Sequence, residues 1–123
     1  MTCRGVRGAI TVDENTEAAI LQATCALLSR IVEENGMSVQ DVASVTFTAT
    51  PDLDAAYPAR AAREMGWDQV PLLCMQEMAV VDSLPRCIRV LVLWNRDVAP
   101  EDVRHVYLEE ARRLRPDLVE VQE

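Results

Sequence analysis

The run Pro85-Arg-Cys-Ile-Arg-Val-Leu-Val-Leu-Trp94 constrains this chain more than any other stretch, because it is apolar from Ile88 to Trp94 except for Arg89. Strand alternation puts Cys87, Arg89, Leu91 and Leu93 on one face and Ile88, Val90, Val92 and Trp94 on the other. Beyond Arg89 both faces are apolar, which predicts a strand covered on both sides. An unpaired buried charge costs several kcal/mol. Spacing therefore leaves two readings of Arg89: it reaches water from the start of the strand, or it meets an anionic partner. The preceding run, Val70-Pro-Leu-Leu-Cys-Met-Gln-Glu-Met78, reads as a short apolar strand that ends in the polar group Cys74, Gln76 and Glu77.

The other elements gather around these two strands. Cys3 to Val12 reads as a first strand whose odd positions are Cys3, Gly5, Arg7, Ala9 and Thr11. Arg7 projects from a face with small neighbours, which leaves room for a ligand or a second backbone, or sets an exposed arginine beside a packing glycine. Asn15 or Thr16 can cap a first helix in which Ile20, Thr24, Leu27, Leu28 and Ile31 recur at helical spacing, and Asn35-Gly36 stops it. A short helical turn over residues 38–42 leads to Ser44–Thr50, where Val45, Phe47 and Ala49 alternate with Thr46, Thr48 and Thr50 as in a half-buried strand. After the Pro51-Asp-Leu-Asp turn, Pro58 opens a second helix ending at Gly66, with Arg60 and Arg63 on one face. Two solvated arginines on a surface helix would give the same pattern. Pro100-Glu-Asp is expected to open a last helix with Val103, Val106, Tyr107, Ala111 and Leu114 as its apolar stripe, carrying the single histidine, His105. Leu114-Arg-Pro-Asp-Leu118 should end that helix and begin a tail. The order β-α-β-α-β-β-α, without repeats or long linkers, describes one α/β (α+β) domain, a mixed β-sheet packed with helices.

A chain of 123 residues supports one real core but not a catalytic plus a regulatory domain. No apolar run approaches the ~20 residues of a membrane span. The opening Met-Thr-Cys-Arg-Gly lacks the apolar core of a secretory signal. Cys3, Cys25, Cys74 and Cys87 form no CxxC pair, which argues against a zinc site and fits a reduced, cytoplasmic protein. The net charge of −8 argues against nucleic acid as a partner. All twelve basic residues are arginine, which genomic composition bias alone would produce. Arginine is also the side chain that grips carboxylates in a bidentate fork. An acidic protein that binds a carboxylate ligand must do so through a local arginine cluster.

Six pieces carry a resemblance over nearly the whole chain: Arg4-Gly-Val-Arg-Gly-Ala9, Ala49-Thr-Pro-Asp-Leu53, Cys74-Met-Gln-Glu-Met78, Cys87-Ile-Arg-Val90, Arg104-His-Val-Tyr-Leu-Glu109 and Leu114-Arg-Pro-Asp-Leu118. In this order and at this spacing they resemble the AroH-class monofunctional chorismate mutases. The resemblance implies a trimeric pseudo-α/β-barrel with active sites between adjacent subunits, and an isomerase that converts chorismate to prephenate on the way to phenylalanine and tyrosine. It implies neither metal nor organic cofactor. It puts Arg7, Arg89 and Tyr107 where the family binds the substrate's carboxylates and ether oxygen, and Glu77 and Cys74 opposite the ring hydroxyl. Tyr57, Arg60, Arg63, Leu72 and Leu73 correspond to the wall from the neighbouring subunit, and Leu114 and Arg115 to a mobile tail, from about residue 115 to 123, that closes the cleft. The chain departs from the family at Tyr57, where Phe is common, at Arg60, where Lys is common, and at Leu73, where Thr is often found. Leu73 leaves only the backbone to make a polar contact there.

The implied reaction is a unimolecular rearrangement that needs no nucleophile and no proton transfer, in keeping with a chain that has no Ser-His-Asp set. A protein can still hold a dianion in its compact conformer and stabilise charge as the ether bond breaks. Two other readings stay open at this point: an imine or enamine hydrolase of the Rid type, and a non-catalytic carboxylate-binding trimer.

Overall fold

The computed structural model describes residues 2–119, with the backbone alone at 118 and 119. Five strands form one sheet: β1 (Cys3–Thr11), β2 (Val42–Ala49), β3 (Leu72–Gln76), β4 (Cys87–Asn95) and β5 (Val106–Leu108), in the order β3-β2-β4-β1-β5. β4 runs antiparallel to both β1 and β2, and the outer pairs β2–β3 and β1–β5 are parallel. The apolar run identified in the sequence is thus the central strand of a mixed sheet.

Helices α1 (Glu17–Asn35) and α2 (Ala59–Glu64) cover one face. The Thr16 hydroxyl accepts from the Ala19 N–H at 3.1 Å, and Gly36, at φ 59°, turns the chain out of α1. Ile20, Leu27, Leu28 and Ile31 of α1 are buried in one core with Val6, Val45, Phe47, Ile88, Val90 and Val92. Ala59 and Ala62 of α2 and Trp67 beyond it join the same core.

The other face is largely bare. Leu91 is 42 % and Leu93 37 % exposed, so the expectation of a strand covered on both sides does not hold within one chain. Both longer helices follow connections that return to the same face, and among the described residues only a small second cluster of Ala9, Cys87, Tyr107 and Ala111 forms opposite them.

The last third departs from the expected single helix. Pro100–Asp102 makes one 3-10 turn, β5 pairs with β1, and a second 3-10 stretch runs from Glu109 to Arg113. Glu109 stands at φ 55°, a left-handed backbone that no continuous helix can pass through. The apolar stripe is real but serves two faces: Val106 enters the main core and Tyr107 the small cluster. Pairing with β5 also satisfies backbone groups on the outer edge of β1. Where a tail was expected, Pro116–Val119 forms a helical turn, α3, and the rest of that tail lies outside the described residues.

Candidate active site

Register brings the charged side chains together. In β4, Arg89 lies directly opposite Ala9 of β1 and Thr48 of β2, and Arg7 lies opposite Leu91. Tyr107 of β5 pairs with the same Ala9. Directly paired residues share a face, so Arg7, Arg89, Thr48 and Tyr107 all project from the bare side of the sheet. The small side chain of Ala9 leaves the space between Arg89 and Tyr107 open.

Glu77 follows β3, and its backbone N–H donates to the Ala49 carbonyl at 2.9 Å. Its carboxylate accepts a short hydrogen bond from the Thr48 hydroxyl (2.5 Å) and lies 3.6 Å from Nε of Arg89. Arg89 is therefore neither a purely solvated strand end nor a buried charge. It is half exposed and has the Glu77 carboxylate beside it.

Arg7, Arg89, Tyr107, Leu114 and Arg115 line a pocket of about 180 Å³. It adjoins a groove of about 590 Å³ that shares Arg89 and Leu114 and adds Glu77, Cys87 and the loop from Met78 to Pro85. Arg115 reaches the pocket with its guanidinium held by Asp117 at 3.0 and 3.2 Å. The Arg7 backbone N–H donates to Nδ1 of His105 at 2.9 Å. Burial pushes the Cys87 thiol up while Arg89 pulls the other way, so this cysteine is a packing group and not a thiolate.

The remaining sequence candidates sit elsewhere. Tyr57, Arg60 and Cys74 line a separate cleft of about 540 Å³. Tyr57 is 72 % exposed there, and Cys74 lies on the helix-covered side of β3, away from the groove that holds Glu77. Arg60 is shared between Glu17 at 2.9 Å and Glu64 at 3.0 Å. Leu72 packs on the main core, Leu73 faces solvent on the bare side, and Arg63 is exposed on α2. One chain thus brings together Arg7, Glu77, Arg89, Tyr107, Leu114 and Arg115, and holds Tyr57, Arg60, Arg63, Leu72, Leu73 and Cys74 apart from them.

Three contributors escaped the sequence reading. Thr48 orients Glu77, and its place in the threonine alternation of β2 was the available signal. Asp52 receives the Arg86 backbone N–H on both carboxylate oxygens, at 3.0 and 3.2 Å, and also accepts from the Thr50 hydroxyl. It thereby fixes the entry to β4, where Arg86 adopts φ 45°. His105 gave no signal, since only the fold brings it to Arg7. Among the described residues no cluster of His, Cys, Asp and Glu could hold a metal, and no helix is long and apolar enough to cross a membrane.

Comparison with known proteins identifies the family. Residues 3–118 match the family described as chorismate mutase type I. The chain is 57 % identical over 120 residues to Chorismate mutase AroH of Thermus thermophilus, covering 97 % of this chain and 98 % of the relative. It is 51 % identical over 119 residues to Chorismate mutase AroH of Bacillus subtilis (strain 168), covering 96 % and 94 %. A solved chorismate mutase from Clostridium thermocellum superposes with a TM-score of 0.87 at 47 % identity, covering 89 % of this chain and 97 % of that one. With its mixed sheet, its one-sided helices and a match from Cys3 to Leu118, the chain belongs to the chorismate mutase type I family.

Proposed function

We propose that this chain converts chorismate to prephenate in a site whose anion-binding half is the groove around Arg7, Arg89 and Arg115, and whose other half is the cleft of a second copy. The observation that carries the reading is the convergence of three arginines on one small pocket, with the Glu77 carboxylate beside Arg89, in a chain of net charge −8. Long-range attraction does not favour a dianion here, so capture must be local and charge-assisted.

In the rearrangement a carbon–oxygen bond breaks while a carbon–carbon bond forms within one molecule. No proton or group is exchanged with the protein. Arg7, Arg115 and Tyr107 hold the carboxylates and so select the compact conformer in which the two termini meet. The Arg89 guanidinium donates toward the ether oxygen as negative charge grows there. Glu77, oriented by Thr48, accepts from the ring hydroxyl and offsets the positive charge left on the ring fragment. Leu114 and Arg115, ahead of α3, close over the groove.

Tyr57, Arg60, Arg63, Cys74 and the backbone at Leu72 and Leu73 complete the wall from the neighbour, in a homotrimer of single-domain subunits acting in the cytoplasm without a cofactor. The bare apolar strip of Leu73, Met75, Leu91 and Leu93 supports such an assembly, because exposed apolar surface of this kind is stabilised by burial against another copy. The decisive test is to mix pure protein with chorismate and follow loss of its diene absorbance. Turnover that is strongly impaired by Arg7→Ala supports the reading, and absence of turnover by the wild-type chain overturns it.

A further inference from the structure

The chain has one histidine, and the proposed chemistry gives it no task. His105 sits in the link that enters β5, and its Nδ1 accepts the Arg7 backbone N–H at 2.9 Å. An imidazole that accepts at Nδ1 carries its proton on Nε2 and is neutral. The bond stands where the β1–β5 ladder ends. β5 begins at Val106, opposite Gly8, so the His105 ring supplies to Arg7 the acceptor that a longer β5 would supply from its backbone.

The backbone that leads into the ring is itself anchored. Asn35, at the end of α1, grips both backbone groups of Arg104: its side-chain oxygen accepts the N–H at 2.9 Å, and its amide donates to the carbonyl at 3.0 Å. The path Asn35–Arg104–His105 therefore runs from the end of α1 to the backbone of Arg7, whose side chain lines the anion pocket. Among the described residues, the charged groups that act on the ring are Arg7 of β1 and Arg115 ahead of α3. Burial first, and then these two cations, hold its pKa below the usual histidine value.

We infer that His105 is a positioning residue for Arg7, and that its protonation in mild acid releases the Arg7 N–H and weakens substrate binding. The inference rests on the reading of Arg7 as a carboxylate-binding residue. The sign follows from the neutral ring being the form the fold favours. The latch is complete above the ordinary histidine pKa of about 6.5 and opens as pH falls through the lower folded-state value. A protonated ring also repels Arg7 and Arg115, which displaces Arg7 in the same sense as the broken bond.

The test is a pH series, from about 5 to about 8, of chorismate turnover by the wild type, His105→Asn and His105→Ala. Substrate carboxylates stay ionised over that range, since ordinary carboxyl groups titrate near 3.3 to 4.3. Asparagine offers an amide oxygen in place of Nδ1 and does not titrate. The wild-type KM should rise roughly fivefold or more toward acid, with kcat within about twofold, as expected for a lost binding interaction. His105→Asn should keep the neutral-pH KM and stay flat, and His105→Ala should show the raised KM throughout. Because the chain has one histidine, imidazole 15N shifts report its tautomer directly, and the neutral Nε2–H form is expected at neutral pH. A wild-type KM that is flat or falls in acid, an alanine variant indistinguishable from wild type, or an Nδ1–H tautomer would each overturn the inference. A wild type without turnover, or an Arg7→Ala variant with unchanged KM, sinks the site reading as well. Turnover that depends on Arg7 but not on pH sinks this inference alone.

Discussion

Arg89 holds its guanidinium 3.6 Å from Glu77 while about half of the side chain stays in solvent. An exposed pair at that distance is worth at most about 1 kcal/mol, so stability does not explain two opposite charges on the bare face of a central strand. A ligand that needs a donor at one point and an acceptor at another would. If Arg89 meets charge that develops on the ether oxygen, its contribution is larger in the transition state than in the ground state. Replacing it with citrulline, a neutral near-isostere, should lower kcat at least about a hundredfold, or roughly 3 kcal/mol, by analogy with a lost oxyanion-hole donor. KM should change only modestly. Arg89→Lys should also fail, because an ammonium keeps the charge but loses the planar fork. An arginine that merely solvates the strand would tolerate lysine and show its loss in the thermal midpoint. Kinetics and melting of both variants separate the two, and a near-normal kcat in the citrulline protein would refute the assigned role.

The elements differ in how plainly the sequence announced them. α1 and the strands β1, β2 and β4 follow from periodicity and caps, because each buries one clear face. β5 did not, because three residues that bury Val106 on one side and Tyr107 on the other imitate a helical stripe, and only the left-handed Glu109 marks the break. The arginine and glutamate of the groove were legible as charges in apolar strands, whereas Thr48, Asp52 and His105 act through contacts that exist only once the sheet has formed. Gly8 shows how tightly α1 meets β1: a Cβ there would lie 2.9 Å from Ile31 Cδ1 and 3.1 Å from both Leu27 Cδ1 and Val90 Cγ1. Gly8→Ala should therefore destabilise by about 1–3 kcal/mol through overpacking, read as a lower denaturation midpoint with unchanged slope. An unchanged midpoint would mean that the helix moves off the sheet at no cost. At the other end, Leu114 and Arg115 line the groove just before α3. Truncation after Leu114 removes Arg115 and α3 and should raise KM far more than it lowers kcat, since a closing segment adds binding rather than chemistry. An unchanged KM would reduce this segment to a structural terminus.

A whole molecule with helices on one face of its sheet leaves the other face to be covered by something, and the apolar strip of Leu73, Met75, Leu91 and Leu93 runs beside the groove. The two sets of candidate residues also stay in separate pockets of one chain: Arg7, Glu77 and Arg89 in the groove, and Tyr57, Arg60 and Cys74 in the cleft. If a ring of copies joins the groove of each chain to the cleft of the next, a defect in the groove and a defect in the cleft belong to different sites. In such a ring Arg89→Ala would disable the groove and Arg63→Ala the opposing wall, so assemblies of either variant alone should be nearly inactive. When the two are unfolded together and refolded as an equal mixture, a site is intact wherever an undamaged groove meets an undamaged wall. Random assembly of a closed ring makes that about one site in four, so activity should return to roughly a quarter of wild type, with the KM of wild type. Mixing the folded assemblies without exchange should restore nothing, which controls for simple addition of residual rates. A site contained within one chain predicts no recovery in either mixture, because every chain then carries a damaged site. Recovery after refolding but not before would tie the chemistry to the contact between copies, and no recovery in any mixture would return the whole site to a single subunit.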